Sequence, residues 1–589
     1  MVNRKRNPAL NVRRKNRIKV EKTILQALIL LVLGALLINA LFHIQRYREP
    51  DKSEWTARQQ GFIAISYFGV GRSGSAKLVA KRQLDEQLRA LHDLGYVTIS
   101  QQDIIDYYTK GKPLPDKALF LSFEDGRNDS ALFAQPLLEK YNYKATFLSY
   151  ADKMGNSERK FLQPKEMLRM TKTGFWELGT NGYRLSYINI FDKEGRFLGQ
   201  KAEKELTDKS QIEYYNHYLM DFIRDENMIP LEDRDEMEAR IKGDYDAMQD
   251  IYTETLGYVP SVYMIMHANA LGEGMNRLVT EANNDNIGKL FRIHFNREGK
   301  ALNSPDESIL DLTRVQPAPY WSTNHLLMKI AKDTGEPVRF VQGNEREAEQ
   351  WNLEAGAAEF KDNEIILTSS PGESGQLILK GSESTRDVTV KAEALGNVVG
   401  KQSIYLRYDR ERDSFVRLIL ENNDIRLEQK KPGQTEELLF SRELDPVTWS
   451  PDDLAFDKAS VYTKAQTAAG TASGEDEYPI NIGGNRSIEL AINGSTLKLT
   501  VDKQVLLAGM KIDESIAAGG VAFASEYNEH NKKDDIYDAV FKNVEILDTD
   551  DASGKESHLF SNRSAGFKGL IAKAREAVNN AVDWAIETF

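Results

Sequence analysis

Cysteine is absent from the sequence. That excludes disulfides, a thiolate nucleophile and any cysteine-ligated zinc or iron–sulfur centre, and it fits an exported protein that does without disulfides. Histidine is scarce: eight residues in 589, none spaced as H-x-x-x-H or H-E-x-x-H, the pairings that put two imidazoles on one helical face around a metal. A basic surface is lacking as well. Nine Lys/Arg and one acid give residues 1–22 a charge of +8, which leaves −20 for the rest of a chain whose net charge is −12. So acidic a body has no footprint for a phosphate backbone, and nucleic acid is excluded as a partner. Long apolar runs are missing with one exception, Ile24 to Phe42, "ILQALILLVLGALLINALF". It carries no charge and as a helix spans about 28 Å, close to a bilayer core. The basic arm before it predicts a cytoplasmic N-terminus. The run exceeds a usual signal-peptide core and no clear A-x-A site follows. The sequence therefore predicts a signal anchor at 23–43, with the bulk of the chain extracellular on a Gram-positive surface.

At roughly 150 residues per domain, the length predicts two to four domains. A polar spacer covers 44–60. From Gly61 strand and helix patterns alternate. "GFIAISYFGV" reads as a strand; residues 81–96 place Leu84, Leu88, Leu91 and Leu94 on one helical face; "ALFLSF" (118–123) and "KATFLSY" (144–150) read as buried strands separated by a helix. Such repetition implies a parallel sheet or barrel with helices outside. Residues 191–257 break the rhythm as a charged, helix-prone insertion. From Trp351 onward nine short alternating runs with turn residues between them predict a β-sandwich over 345–549, with a flexible loop at 465–477. The tail, 550–589, ends in an amphipathic pattern over 566–589 with few basic residues on its polar face, suited to another protein surface at least as well as to lipid.

The chemistry concentrates where strands end, since α/β sheets and barrels bind ligands at the C-terminal ends of their strands. Glu124 and Asp125 occupy such an end, in "LFLSFEDGRND". A hydrolase that activates water on a metal needs three protein ligands and a base. His267, at a later strand end, is the best-placed imidazole to join Asp125. A structural role is available too, because several acids stand just before the helix that follows and could cap it.

Residues 61–187 and 258–316 resemble the polysaccharide deacetylase (NodB homology) family of carbohydrate esterases. "AISYFGV" is similar to its opening strand, "LDEQLRALHDLGYVTIS" to its first helix and strand, and "GKPLPDKALFLSFEDGRND" to the segment carrying its T-F-D-D-G motif. "WELGTNGYRLS" lies where the family has E-x-G-x-H-x-x-x-H, "SVYMIMHAN" where it has its A-Y-P-Y-G type strand, and "LTRV" resembles a late turn that contains Arg314. The resemblance implies a distorted (β/α) barrel and a metal-dependent deacetylase. It implies that Glu124 stands at the general-base position and Asp125 at a metal-ligand position. The two histidine ligands fall on Asn181 and Leu185, and the opening histidine on Phe68. Asparagine offers a weak neutral oxygen and leucine nothing. Glu124 adds a methylene to the base, a displacement that matters at a positioned catalytic group.

The expected architecture is α/β plus all-β: a single transmembrane helix, a deacetylase-type barrel over 61–340 with a helical insertion at 191–257, a concanavalin-like jelly-roll sandwich, and a C-terminal amphipathic helix. The expected function is a catalytically degenerate, glycan-binding component of exopolysaccharide or cell-wall polysaccharide assembly. Trp176, Asn181, Tyr183, His267 and Arg314 are the substrate-binding candidates, and Tyr67 is a further aromatic for a sugar face. Two alternatives stand beside it: an active deacetylase rewired around Glu124 and Asp125, and a scaffold for membrane glycosyltransferase or export proteins. No cofactor is expected, and a divalent metal such as zinc only if Asp125 and His267 form a rewired site.

Overall fold

A computed structural model describes residues 45–563, apart from 57–59, 76, 156–159, 207–210, 266–274, 398–399, 422–423, 445–482, 529–533 and 550–556, together with a few positions between 19 and 30. The predicted membrane span lies largely outside the described residues. His267, the 465–477 loop and the amphipathic tail lie wholly outside them. Among the described residues no helix is long and apolar enough to cross a membrane.

Seven parallel strands run in sequence order through the nine-stranded sheet of the first domain: β1 (Phe62–Tyr67), β2 (Ala118–Phe123), β3 (Ala145–Tyr150), β4 (Trp176–Gly182), β5 (Val262–Met264), β6 (Ile293–Glu298) and β7 (Leu312–Arg314), with Val97–Thr98 parallel to β2 and Leu302–Asn303 antiparallel to β1 at its flanks. The ring closes where Val315, just past β7, pairs in parallel with Ile65 of β1. The first three strands are buried along their whole length, as expected when both faces of a parallel sheet are covered. One face, with Phe62, Ala64, Phe120 and Phe295, closes on Ile104 and Ile105 of helix α2 (Gln101–Lys110). The other, with Ile63, Leu121 and Phe147, packs on helices α1 (Lys81–Asp93) and α3 (Asn128–Tyr141). Leu84, Leu88 and Leu91 line the buried face of α1, the stripe their spacing predicts.

The insertion differs from expectation. It is not helical throughout. Strands Ser186–Asp192, Phe197–Ala202 and Ile212–His217 form an antiparallel sheet whose Tyr187 and Tyr215 rings meet edge to face at 5.0 Å. Only α4 (Arg234–Leu256) is helical at length, and Met237, Ile241, Tyr245, Met248 and Tyr252 bury it in the barrel core. Its high charge reflects its outer face, and its apolar spacing supplied one wall of the barrel.

The second domain is a sandwich of two antiparallel sheets, seven strands from Trp351–Ala355 to Glu436–Glu443 and seven in line from Ala357–Lys361 to Gln504–Lys511, with Ser557–Ser561 on the flank of the latter. The described strands number fifteen rather than nine. Their inward residues, among them Leu367, Leu418, Leu490, Phe523 and Phe541, form one core, the alternation that a two-sheet stack requires.

Candidate active site at the strand ends

The β2 ladder runs one residue past the strand, because the Glu124 N–H donates to the Tyr67 carbonyl at 2.9 Å. The chain then turns sharply. Asp125 and Gly126 both have positive φ, 64° and 66°. A Cβ on Gly126 would sit 3.0 Å from the Ser149 Cβ, so the glycine lets the turn lie flat against β3. Helix α3 starts two residues later. The backbone thus accounts for Gly126, whereas the acids at 124 and 125 are not set by the turn geometry.

Glu124 is fully buried. Its Oε1 accepts from Gln316 Nε2 at 3.0 Å and Arg314 Nε at 3.4 Å. Its Oε2 has no hydrogen-bond partner among the described residues. Arg314, 1% exposed, also donates to the carbonyls of Arg297 and Ile265 and lies 3.3 Å from Glu298. Arg314 is therefore the buried counter-charge of Glu124, which corrects its assignment as a substrate contact: a guanidinium with every edge engaged inside the protein has none left for a ligand.

Asp125 is 9% exposed. Burial pushes its carboxyl up to about 7; Lys160, Arg127 and Lys153 pull the other way, and Glu203 of the inserted segment adds to the rise. Arg127 approaches only to 3.8 Å and is tied to Asp129 by two hydrogen bonds. The Tyr150 phenol is buried beside these acids without a hydrogen-bond partner among the described residues, and burial with the charges of Asp125 and Glu203 keeps it neutral.

Asn181 does not face solvent. Its Oδ1 accepts the Asp125 N–H at 3.0 Å and its Nδ2 donates to the Met264 carbonyl at 2.9 Å. The side chain stitches β4 to the Asp125 turn on one side and to β5 on the other. Leu185 ends the loop after β4, and its carbonyl accepts from the Glu203 N–H at 3.3 Å, so it is the root of the inserted sheet. Phe68, half-buried, follows β1 at the same rim. Glu177, the first residue of this motif region, accepts the Gln101 N–H at 2.9 Å at the first turn of α2, where an acid is favoured.

Two aromatic candidates are corrected. Trp176 is 2% exposed, packs edge to face on Phe123 and Phe147 and donates through Nε1 to Gln135 at 2.5 Å. Tyr67 is fully buried and donates to Gln87 at 2.8 Å. Both are core residues, since aromatic residues at the ends of buried strands fill space between layers. Tyr183 does reach the rim. The Arg184 guanidinium lies 5.0 Å from the Tyr183 ring and 5.1 Å from that of Tyr218, and 3.4 Å from Asp244, whose carboxyl burial raises to about 6. Sequence reasoning missed Arg184, Tyr218 and Asp244. The first adjoins a motif position, but the other two lie in the insertion, and only the fold brings them together.

Residues 111–264 match the family profile of the polysaccharide deacetylases. YxkH of Bacillus subtilis, a protein named for this family, is 28% identical over 167 residues. The barrel belongs to the polysaccharide deacetylase family. The poly-beta-1,6-N-acetyl-D-glucosamine N-deacetylase of Staphylococcus aureus is 25% identical over 191 residues. Each alignment covers 28% of this chain; it spans 56% of the first relative's length and 65% of the second's. Among solved structures, a de-N-acetylase from Aggregatibacter actinomycetemcomitans aligns over 45% of this chain and 98% of its own at 18% identity and a TM-score of 0.35.

The deacetylase family implies a divalent metal, and the described residues at the strand ends of this deacetylase-like barrel do not fit one. Both amide atoms of Asn181 are spent on the backbone, Leu185 has no donor, and among the described residues no group of three His, Cys, Asp or Glu side chains converges. A single carboxylate does not hold a divalent ion tightly.

Proposed function

We propose that this protein is an anchored, extracellular polysaccharide-deacetylase-like component of exopolysaccharide or cell-wall polysaccharide assembly that binds glycan without metal-dependent hydrolysis. One observation carries the reading: the Asn181 amide is consumed in holding the Asp125 turn and β5 together, so the position that would ligate a metal does a structural task instead. The glycan follows from family membership, since relatives carry the name of poly-beta-1,6-N-acetyl-D-glucosamine N-deacetylases. Tyr183, Arg184 and Tyr218, half-buried at the rim, bring two aromatic rings and guanidinium groups together, with Arg184 over both rings and Arg240 over that of Tyr218, aromatic and polar chemistry of the kind that lines ligand sites. Residues 24–42 supply the anchor.

The test is an acetate-release assay on partly acetylated poly-β-1,6-glucosamine, paired with binding by calorimetry. We expect no acetate with added zinc, cobalt or nickel, and binding that weakens about tenfold in Tyr183→Ala or Tyr218→Ala. Chelator-sensitive acetate release would sink the reading. A second reading has its own observation: Asp125, with its carboxyl pushed up to about 7, follows directly on an Arg-paired Glu124, so a proton-holding acid and a carboxylate stand side by side. Acetate release that resists chelator and disappears in Asp125→Asn would establish that rewired site.

A further inference from the structure

The two domains share an interface built around one histidine. Helix α5 (Thr323–Thr334) of the barrel begins at its N-cap Ser322. His325, 1% exposed, places Nδ1 3.1 Å from Asp538 and Nε2 3.0 Å from Asp534, both carboxylates of the sandwich. Asp538 also accepts from the Ser322 N–H at 2.8 Å, the Ser322 hydroxyl at 2.9 Å and the Thr368 hydroxyl at 2.6 Å. Asp534 accepts the Trp321 Nε1–H at 2.9 Å, and the Trp321 ring stacks on the imidazole at 4.4 Å. Met328, Ala357, Ile536 and Phe340 form an apolar cluster beside it that spans both domains. Four hydrogen bonds into one buried carboxylate and a counter-charge between two are far more than a tether between independent modules requires, as interdomain contacts are ordinarily modest and polar.

The clamped turn leads straight to the strand ends. Five residues before Trp321 stands Gln316, whose amide binds Glu124. The Trp321 carbonyl accepts from Gln87 at 3.3 Å, and the Gln87 side chain in turn accepts from Tyr67, the residue whose carbonyl receives the Glu124 N–H. Glu124 is thus reached from the clamp by two short covalent and hydrogen-bonded routes, one to its carboxylate and one to its backbone.

We propose that the sandwich is a positioning part of the barrel's strand-end site: Asp534 and Asp538 fix the Trp321–His325 turn, and that turn holds Gln316 and Gln87 where they fix Glu124. His325 and Trp321 are positioning residues, and the statement is independent of whether the barrel binds or hydrolyses glycan. A buried carboxylate that loses its counter-charge is strongly destabilising to its surroundings, so breaking the clamp loosens the turn before it loosens either core.

Hydrogen exchange of the full-length protein tests this. In His325→Gln, exchange over 118–126 and 312–321 rises at least tenfold, while the sandwich core strand Val388–Asn397 exchanges as in the parent. Trp321→Phe keeps the stacked ring and loses one bond to Asp534; it raises exchange in the same two segments by a smaller factor and decides the matter should His325→Gln not fold. Faster exchange confined to 322–330 and 534–540, with 118–126 and 312–317 unchanged in the folded variants, overturns the proposal.

Discussion

Replacing Asn181 by alanine tests the central claim about the site. The side chain is 3% exposed and its amide serves two backbone groups, the Asp125 N–H at 3.0 Å and the Met264 carbonyl at 2.9 Å. Alanine leaves both buried and unpaired. An orphaned buried polar group costs about 1–3 kcal/mol, so the variant, which orphans two, should lose ~2–6 kcal/mol, a large part of a typical domain's margin. Urea unfolding followed by tryptophan fluorescence measures it, and Trp176 beside Phe123 and Phe147 reports on this region. The Asp125 amide should also exchange faster, because Asn181 is its acceptor. Asn181→His should destabilise to a similar degree and gain no stoichiometric zinc, since Leu185 still offers no donor. A loss below ~0.5 kcal/mol with an unchanged Asp125 amide would refute the reasoning: the amide would then be dispensable to the fold and free for a ligand.

Asp125→Asn should stabilise the protein above pH 7. The raised carboxyl means that the folded state holds a proton the unfolded state releases, so stability falls as pH rises from about 4 to about 7; the variant should flatten that slope in thermal melts between pH 4 and 8. His325 has the opposite origin and a higher window. Asp534 and Asp538 raise its imidazole to about 10 against the opposing effect of burial, so its contribution is complete below about pH 6.5 and drains away as pH rises toward 10, a decline that His325→Gln should abolish. Trp176→Ala should cost ~3–5 kcal/mol as an emptied core site in the same urea assay. Arg314→Met, which strands the Glu124 charge, should cost about as much as breaking any buried pair, ~3–5 kcal/mol, and should recover part of it when combined with Glu124→Gln.

Much of the barrel was legible because its signals are local. Buried six-residue strands, the leucine spacing of α1 and the Glu–Asp–Gly corner each depend on a short window of sequence, and each stands where that window places it. The sandwich was legible as a class and not in its strand count, since alternation marks a half-buried strand and fails at bulges and edges, where strands such as Glu436–Glu443 are mostly exposed. The insertion was misread because α4 is charged along one face and apolar along the other, and composition averages the two. At the site, Asn181 lies against the Asp125 turn and Leu185 at the root of the inserted sheet, but whether Trp176, Tyr67 and Arg314 face a ligand or the core depends on neighbours far away in the chain, Gln135, Gln87 and Glu124. Nothing in their own segments carries that information.

The residues at positions 181 and 185 and the inserted sheet are physically linked. Asn181 and Leu185 bracket a four-residue rise from β4 to the first inserted strand at Ser186. The carbonyl of Leu185 receives the Glu203 N–H as the second inserted strand returns, and the Tyr218 N–H bonds the Ser186 carbonyl as the third one leaves. Position 185 therefore sits on backbone held by the strands on either side of it. Glu203, delivered by the same sheet, adds negative charge near Asp125 and raises its carboxyl further. Ligation by a carboxylate needs its ionised form. The inserted sheet opposes that through Glu203, and it brings Tyr183, Arg184 and Tyr218 together at the rim. Metal ligation at this corner would therefore need an ionised Asp125 beside Glu203 in addition to donors at 181 and 185.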